Sequence, residues 1–226
     1  FNLGLLCCLL KKATGRLAQG QDFFAPDATR PLTIVNCDNR LIASAARFRW
    51  EAILAGWVSK VQRGFLPHRS MLANVIDIDE RAMTVSIKHD DGALVLFDFR
   101  AAFPSVSHEF IMRPLEHIGL PDHALRFVEC LYSGNRCHVA LQGTRFPGFD
   151  ITAGIRQGCP LSPLLFITVV DSLLRALMTQ VPGAFPRAYA DDTALVIENL
   201  RRDLPRVREI FTLFGRVSGL HLNIPK

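Results

Sequence analysis

Three carboxylates carry the chemistry this sequence could perform. Asp98 closes a short apolar run, ALVLFD over 93–98, and Asp191 and Asp192 stand together between Ala188-Tyr189-Ala190 and a second apolar stretch, TALVI. Carboxylate oxygens are hard ligands suited to Mg²⁺, which takes one or two of them and fills its shell with phosphates and water. Two such ions ~4 Å apart hold both the attacking and the leaving oxygen of a phosphoryl transfer. If the strand ending in Asp98 neighbours the Asp191–Asp192 turn, the three acids converge at one sheet edge. Taken singly, each has a plainer reading. Asp-Asp is a favoured turn pair, and Asp98 alone would serve as a helix cap or a surface acid.

A second group is Gly154-Ile155-Arg156-Gln157-Gly158-Cys159-Pro160, which leads through Leu161, Ser162 and Pro163 into a long apolar segment. Glycines let a backbone approach a ligand, a helix start offers free N–H groups to phosphate, and Arg156 and Gln157 add donors. An ordinary capped glycine loop has the same composition. No Gly-Lys-Ser/Thr follows, so it is not a Walker loop. The third feature is Phe103, five positions past Asp98, where an aromatic ring would wall a substrate pocket or simply pack in a core. An aspartyl phosphatase of the haloacid dehalogenase type would need an acid two residues after its nucleophile, and that place holds Arg100.

These residues need elements to position them. The spacing predicts a helix over 40–60 with Leu41, Ala45, Phe48, Ala52 and Ala55 on its apolar face, a second over 69–88, and a buried strand over 93–98. Helices are expected over 105–118 and 121–133, a hairpin over 136–151 around Gly143, and a long apolar helix over 161–180. Two short strands flank Asp191–Asp192 over 187–197, an amphipathic helix covers 202–218, and 219–224 reads as a closing strand. Residues 13–31 read as a loop or irregular ribbon. This order does not alternate regularly between strand and helix, so the expected class is α+β with an antiparallel sheet.

Composition sets outer bounds. Of 226 residues 49% are hydrophobic and 21% charged, enough apolar surface to exclude an extended disordered chain. With 26 Lys and Arg against 21 Asp and Glu, the net charge of +5 permits a nucleic-acid partner without demanding one. Six cysteines lie apart or as the pair Cys7-Cys8, never as CxxC, so zinc is not indicated; reduced, mostly buried thiols and an intracellular setting are expected. No apolar run approaches the ~18 residues of a membrane span, so no membrane partner is expected. Residues 1–10 resemble a signal core, but Lys11 and Lys12 follow the run instead of preceding it, and no targeting signal is read, leaving nucleus or cytoplasm. The abrupt ends at Phe1 and Lys226 are read as those of a piece of something longer.

In order along the chain, FDFRAAFPSV (97–106), GIRQGCPLSPLLF (154–166) and YADD (189–192) resemble motifs A, B and C of the palm of reverse transcriptases. Arg30-Pro31-Leu32-Thr33-Ile34-Val35-Asn36 is similar to the fingers strand of the non-LTR retrotransposon enzymes. Gln62-Arg63-Gly64-Phe65 through Arg69-Ser70 is similar to their QxGF…GRS segment, and Ser218-Gly219-Leu220-His221-Leu222-Asn223 to their motif D. The likeness runs from about residue 10 to the end and favours the LINE-like or group II intron-like branch. It implies a right-hand palm, an antiparallel sheet backed by helices, with partial, mostly helical fingers over 1–92. The palm would occupy 93–226: motif A 94–106, insertion helices 107–133, motif B 154–180, motif C 187–197 and motif D 202–226. No thumb, endonuclease, RNase H or zinc-knuckle segment is expected.

The resemblance also implies roles. Asp98 and Asp191 would bind two Mg²⁺ ions, with Mn²⁺ as a substitute, supported by Asp192 and the carbonyl of Phe99. Phe103 would be the steric gate under the sugar, with Ala102 beside it; Gln157 and Gly158 would line the nascent base pair and template, with Arg156 alongside. Arg30, and Lys11 or Lys12, would hold the triphosphate; Tyr189 and Ala190 would touch the primer end; Lys226 would be the general acid for pyrophosphate. His68 stands where these enzymes often carry Gly. The implied partners are an RNA template, a DNA primer and dNTP, with the oligomeric state open. Other functions remain from sequence: a non-catalytic remnant that binds nucleic acid, and an RNA-templated RNA polymerase or group II intron-type maturase with a similar palm, although Phe103 speaks against routine use of ribonucleotides.

Overall fold

The computed structural model describes residues 2–11, 13–25 and 28–223. Strand β1 (Leu3–Leu10) and strand β4 (Thr29–Val35) form an antiparallel pair, with the ribbon β2 (Gly15–Arg16) and β3 (Asp22–Phe23) between them. Helices α1 (Cys37–Trp57) and α2 (Met71–Lys88) follow, then β5 (Ala93–Phe97), the single turn α3 (Ala102–Ser105), α4 (His108–Ile118) and α5 (Asp122–Tyr132). The hairpin β6 (Arg136–Leu141) and β7 (Thr144–Phe146) leads to α6 (Ser162–Gln180), the hairpin β8 (Phe185–Tyr189) and β9 (Asp192–Ile197), and α7 (Leu200–Ser218). The class is α+β, as expected.

Two sheets organise these elements. One has the order β5-β9-β8, antiparallel throughout, and carries the acids at one end. The other has the order β4-β1-β6-β7, in which β1 pairs in parallel with β6. The division expected at residue 92 is therefore crossed twice. The 136–146 hairpin completes the sheet begun by β1 and β4, and α2 packs on β5, β8 and β9. The signal-like run at the start is β1, the strand between β4 and β6. A continuous apolar strand such as LGLLCCLL and a signal core share the same composition.

The core forms around α6, whose Leu164, Leu165, Phe166, Ile167, Val169 and Val170 are essentially inaccessible. By length and composition α6 could cross a membrane, contrary to the expectation that no such run exists, but 67% of its apolar window is buried in this fold. From Ser162 to Leu174 the helix is packed almost all round, which explains an apolar stretch with no polar face there, while its last turn is exposed. On α1 the sequence picked the wrong face. Leu41 (72% exposed) and Phe48 (88%) point outward, and Asn39, Ala43 and Leu54 are buried instead. The helix carries apolar residues on two faces, and edge-on packing of Trp50 against Phe127 selects the inner one. Likewise Cys8, Cys37 and Cys130 are exposed and only Cys137 and Cys159 fully buried; all are free thiols.

Candidate active site

The register of the three-stranded sheet brings the acids together. Phe97 lies opposite Thr193 and Tyr189 opposite Asp192, so Asp98, one residue past Phe97, reaches the end of the sheet where the two-residue turn Ala190–Asp191 sits. Ala190 adopts a φ of 58°, the left-handed region that costs a side-chain-bearing residue about 1–2 kcal/mol. Asp191 is half-buried, and Asp98 and Asp192 are exposed. Burial holds the Asp191 carboxyl above the ordinary carboxylate range, and the nearby charges of Asp192 and Asp98 push it the same way. The Arg30 guanidinium on β4 partly opposes that rise, which puts Arg30 within electrostatic reach of the acids.

One residue missed by sequence reasoning joins them. Asn223 donates its backbone N–H to the Asp98 carbonyl (2.8 Å) and its side-chain amide to Asp98 Oδ2 (2.9 Å). Arg100 N–H donates to the His221 carbonyl (2.9 Å), and Phe99 pairs with Leu222 across an isolated bridge. Because the peptide groups of Asp98 and Arg100 face this 221–223 segment, the carbonyl of Phe99 faces the opposite edge, on the side of the Asp191 turn. The signal for Asn223 was its place in the Ser-Gly-Leu-His-Leu-Asn stretch; only the fold gives it a partner.

Motif A is clasped from two sides. Gly154 N–H donates to Val106 and Ile155 N–H to Phe103 (2.7 Å each), and a Cβ on Gly154 would lie 2.6 Å from the Pro104 oxygen. Gly219 closes the other side, where a Cβ would lie 2.1 Å from the Ser105 oxygen. The Phe103 ring stacks on Phe166 at 4.3 Å and meets Phe65 edge-on at 6.2 Å. Phe65 is thus a second aromatic wall beside Phe103, legible in sequence only as part of QRGF. The motif B loop leans on β4: Thr33 N–H donates to the Gln157 carbonyl (3.2 Å), and Gly158 has a φ of 108° with Thr33 too close for a Cβ.

Three expectations are corrected. Arg156 is 6% exposed and donates Nη2 to the Leu131 carbonyl at 2.6 Å, so it ties the motif B loop to α5 rather than facing a template. Burial lowers its pKa, which Tyr132 and Cys159 partly offset. Ala190, 6% exposed, has both backbone groups bound by Gln62 and is not offered to a primer. Ala102 is also 6% exposed and packs in the core. Tyr189 is half-buried beside the turn, Lys11 is exposed, and Lys12 and Lys226 lie outside the described residues. His68 sits at a φ of 60°, a left-handed conformation that glycine would adopt without strain.

The donor set fits a divalent cation. Among the described residues no three His, Cys, Asp or Glu side chains form a closed metal cage. Mg²⁺ does not need one, because it keeps open positions for phosphate and water. Asp98, Asp191 and the Phe99 carbonyl supply hard oxygens; burial raises the Asp191 pKa most, the charges of Asp192 and Asp98 add to it, and a bound cation would relieve that repulsion.

Comparisons with known proteins follow the same lines. The sequence profile of the family described as reverse transcriptase (RNA-dependent DNA polymerase) matches residues 10–226. The Pol polyprotein of type-2 retrotransposable element R2DM of Drosophila melanogaster is 32% identical over 73% of this chain and 16% of its own length. A type-1 element R2 polyprotein of Popillia japonica is 28% identical over 91% and 30%. The transposon TX1 uncharacterized 149 kDa protein of Xenopus laevis is 25% identical over 87% and 16%. The chain spans 16–30% of the length of these curated relatives. Apo telomerase from Candida tropicalis truncated from its C-terminal domain superposes with a TM-score of 0.67 at 11% identity, covering 99% of this chain and 49% of that one. The Candida tropicalis telomerase in complex with a TWJ fragment of telomeric RNA gives 0.65 at 9%, covering 99% and 40%. Both show a shared fold.

Proposed function

This chain belongs to the reverse transcriptase family, on its non-LTR retrotransposon branch, and from that premise we propose that it carries out template-directed nucleotidyl transfer, extending a DNA primer with dNTP along an RNA template. The observation that carries the reading is the convergence of Asp98 with the Asp191–Asp192 turn at one end of the β5-β9-β8 sheet.

Asp98, Asp191 and the Phe99 carbonyl would hold two Mg²⁺ ions, with Mn²⁺ able to replace them. When bound, these ions lower the pKa of the primer 3′-hydroxyl and neutralise the triphosphate. Asp192 adds negative charge at the turn, and Asn223 fixes one Asp98 oxygen so that the other stays free. Arg30 reaches the site from β4, where its charge meets the triphosphate. The Phe103 ring, braced by Phe166 and Phe65, forms the floor under the sugar and crowds a ribose 2′-hydroxyl. Gln157 and Gly158 line the base pair from the loop held on Thr33. In the step itself the 3′-oxygen bonds to the α-phosphorus, its proton passes to solvent, and the bond to the β-phosphate bridge breaks to release pyrophosphate. Protein groups contribute mainly position and charge.

Primer extension on an RNA template tests this. Wild type should incorporate dNTP with Mg²⁺, and Asp98→Asn should lower incorporation at least a thousandfold. Equal incorporation by the two proteins would overturn the reading.

A further inference from the structure

The turn that carries Asp191 is held by a residue far away in sequence. Gln62 is fully buried, and its side-chain amide brackets Ala190 on both sides. Oε1 accepts from Ala190 N–H at 2.9 Å, and Nε2 donates to the Ala190 carbonyl at 3.1 Å. Oε1 also accepts from Gly64 N–H at 2.9 Å. The backbone around Gln62 runs beside β8 like an added parallel strand: Ala188 N–H donates to Val61 and Arg63 N–H to Ala188, each at 2.8 Å. Gly64 presses so close that a Cβ there would lie 2.3 Å from Ala190 N.

Segment 61–64 is itself fixed from behind. Arg69 donates to the carbonyls of Ala55, Val58, Ser59 and Gln62 at 2.6–3.0 Å, closing the end of α1. Buried Asp171 on α6 accepts from Ser59 N–H at 3.0 Å and from its hydroxyl. Gln62 is thus a rigid post, and Ala190 is the one left-handed residue of the turn. A side-chain amide presents a donor and an acceptor together, as a peptide group does; a carboxylate has no donor and an alkyl chain has neither.

We propose that Gln62 is a positioning residue: its amide holds Ala190 in the left-handed conformation, sets the separation of Asp191 from Asp98, and so sets the affinity of the acid pair for divalent cations. This rests on the polymerase reading only for the purpose the cations serve. Gly64 serves the same contact by permitting the close approach.

The test compares wild type with Gln62→Leu and the near-isosteric Gln62→Met, which has no donor, with Leu177→Ala on the last turns of α6 as a control for general destabilisation. Mn²⁺ titration followed by electron paramagnetic resonance reads the binding abolished by Asp191→Asn, and urea midpoints verify folding. Both Gln62 variants should weaken that Mn²⁺ binding about tenfold and raise the Mg²⁺ concentration for half-maximal incorporation by a similar factor, with the dNTP KM unchanged. Leu177→Ala should lower the urea midpoint and bind Mn²⁺ as wild type does. If Gln62→Leu does not fold, Gln62→Met decides. Wild-type Mn²⁺ affinity in a folded Gln62 variant overturns the proposal and leaves the polymerase reading intact. A wild-type chain that binds Mn²⁺ without incorporating nucleotide overturns the polymerase reading and leaves the clamp standing.

Discussion

Replacing Arg156 separates two roles that its neighbours in sequence make look alike. A guanidinium in a glycine loop reads as a phosphate contact, yet here it is 6% exposed and bonded to the Leu131 carbonyl. Arg156→Ala removes a charged hydrogen bond, worth about 1.5–3 kcal/mol. It also leaves a buried carbonyl unpartnered and vacates packing beside Tyr132. A loss of about 3 kcal/mol follows, and in a chain of this size each kcal/mol moves Tm by about 2–4 °C, so a fall of roughly 6–12 °C is expected. Nucleic-acid binding gives the contrasting readout. A lost phosphate contact lowers the slope of log K against log salt by about 0.7–0.9, whereas a buried tie to α5 leaves the slope unchanged. Thermal melts and salt titrations of binding to an RNA–DNA primer-template measure both. A wild-type Tm combined with a reduced slope would refute the structural role.

Asp191→Asn should be more stable than wild type at neutral pH despite losing activity. The folded carboxyl has a raised pKa, so wild-type stability is full below the unfolded value near 3.9 and falls as pH rises through the folded one; urea midpoints for the two proteins should diverge across that acid window and stay apart above it, and a less stable variant at pH 7 would contradict the linkage. Phe103→Ala should cost roughly 2–3 kcal/mol, less than a fully buried Phe because the ring is half-exposed, and should lower discrimination against ribonucleotides at least tenfold in NTP–dNTP competition. Gly219→Ala forces a Cβ to 2.1 Å from the Ser105 oxygen at a φ of 80°, so it should lose about 2–5 kcal/mol in urea unfolding.

Local pattern revealed most elements, because the strand ending in Asp98, the hairpin around Asp191 and the apolar α6 each carry their own periodicity and turn residues. What it could not reveal was which distant pieces share a sheet. Nothing in 136–146 marks it as the partner of β1, since parallel register depends on the whole fold rather than on the residues of either strand. At the site, the acids and Phe103 were legible by spelling, but their supports were not. Gln62 acts through side-chain bonds to the backbone of Ala190, and Asn223 through a side-chain bond to the Asp98 carboxylate, each 125 or more residues away. Arg156 misled for the complementary reason: a buried cation tied to a carbonyl has the same letter as one facing solvent. On α1, two apolar faces left the choice to its neighbours.

The parallel pairing of β1 with β6 shapes how the protein comes off the ribosome. β4 follows β1 soon enough to cover one edge of it, but β6 emerges about 7–27 s after β1 at ordinary translation speeds of roughly 5–20 residues per second. Throughout that interval the stretch LGLLCCLL presents an uncharged apolar edge, the kind that recruits another copy of itself. Nascent chains stalled before Arg136 should therefore cluster on crowded polysomes and depend on chaperones, while chains released past Leu141 should not.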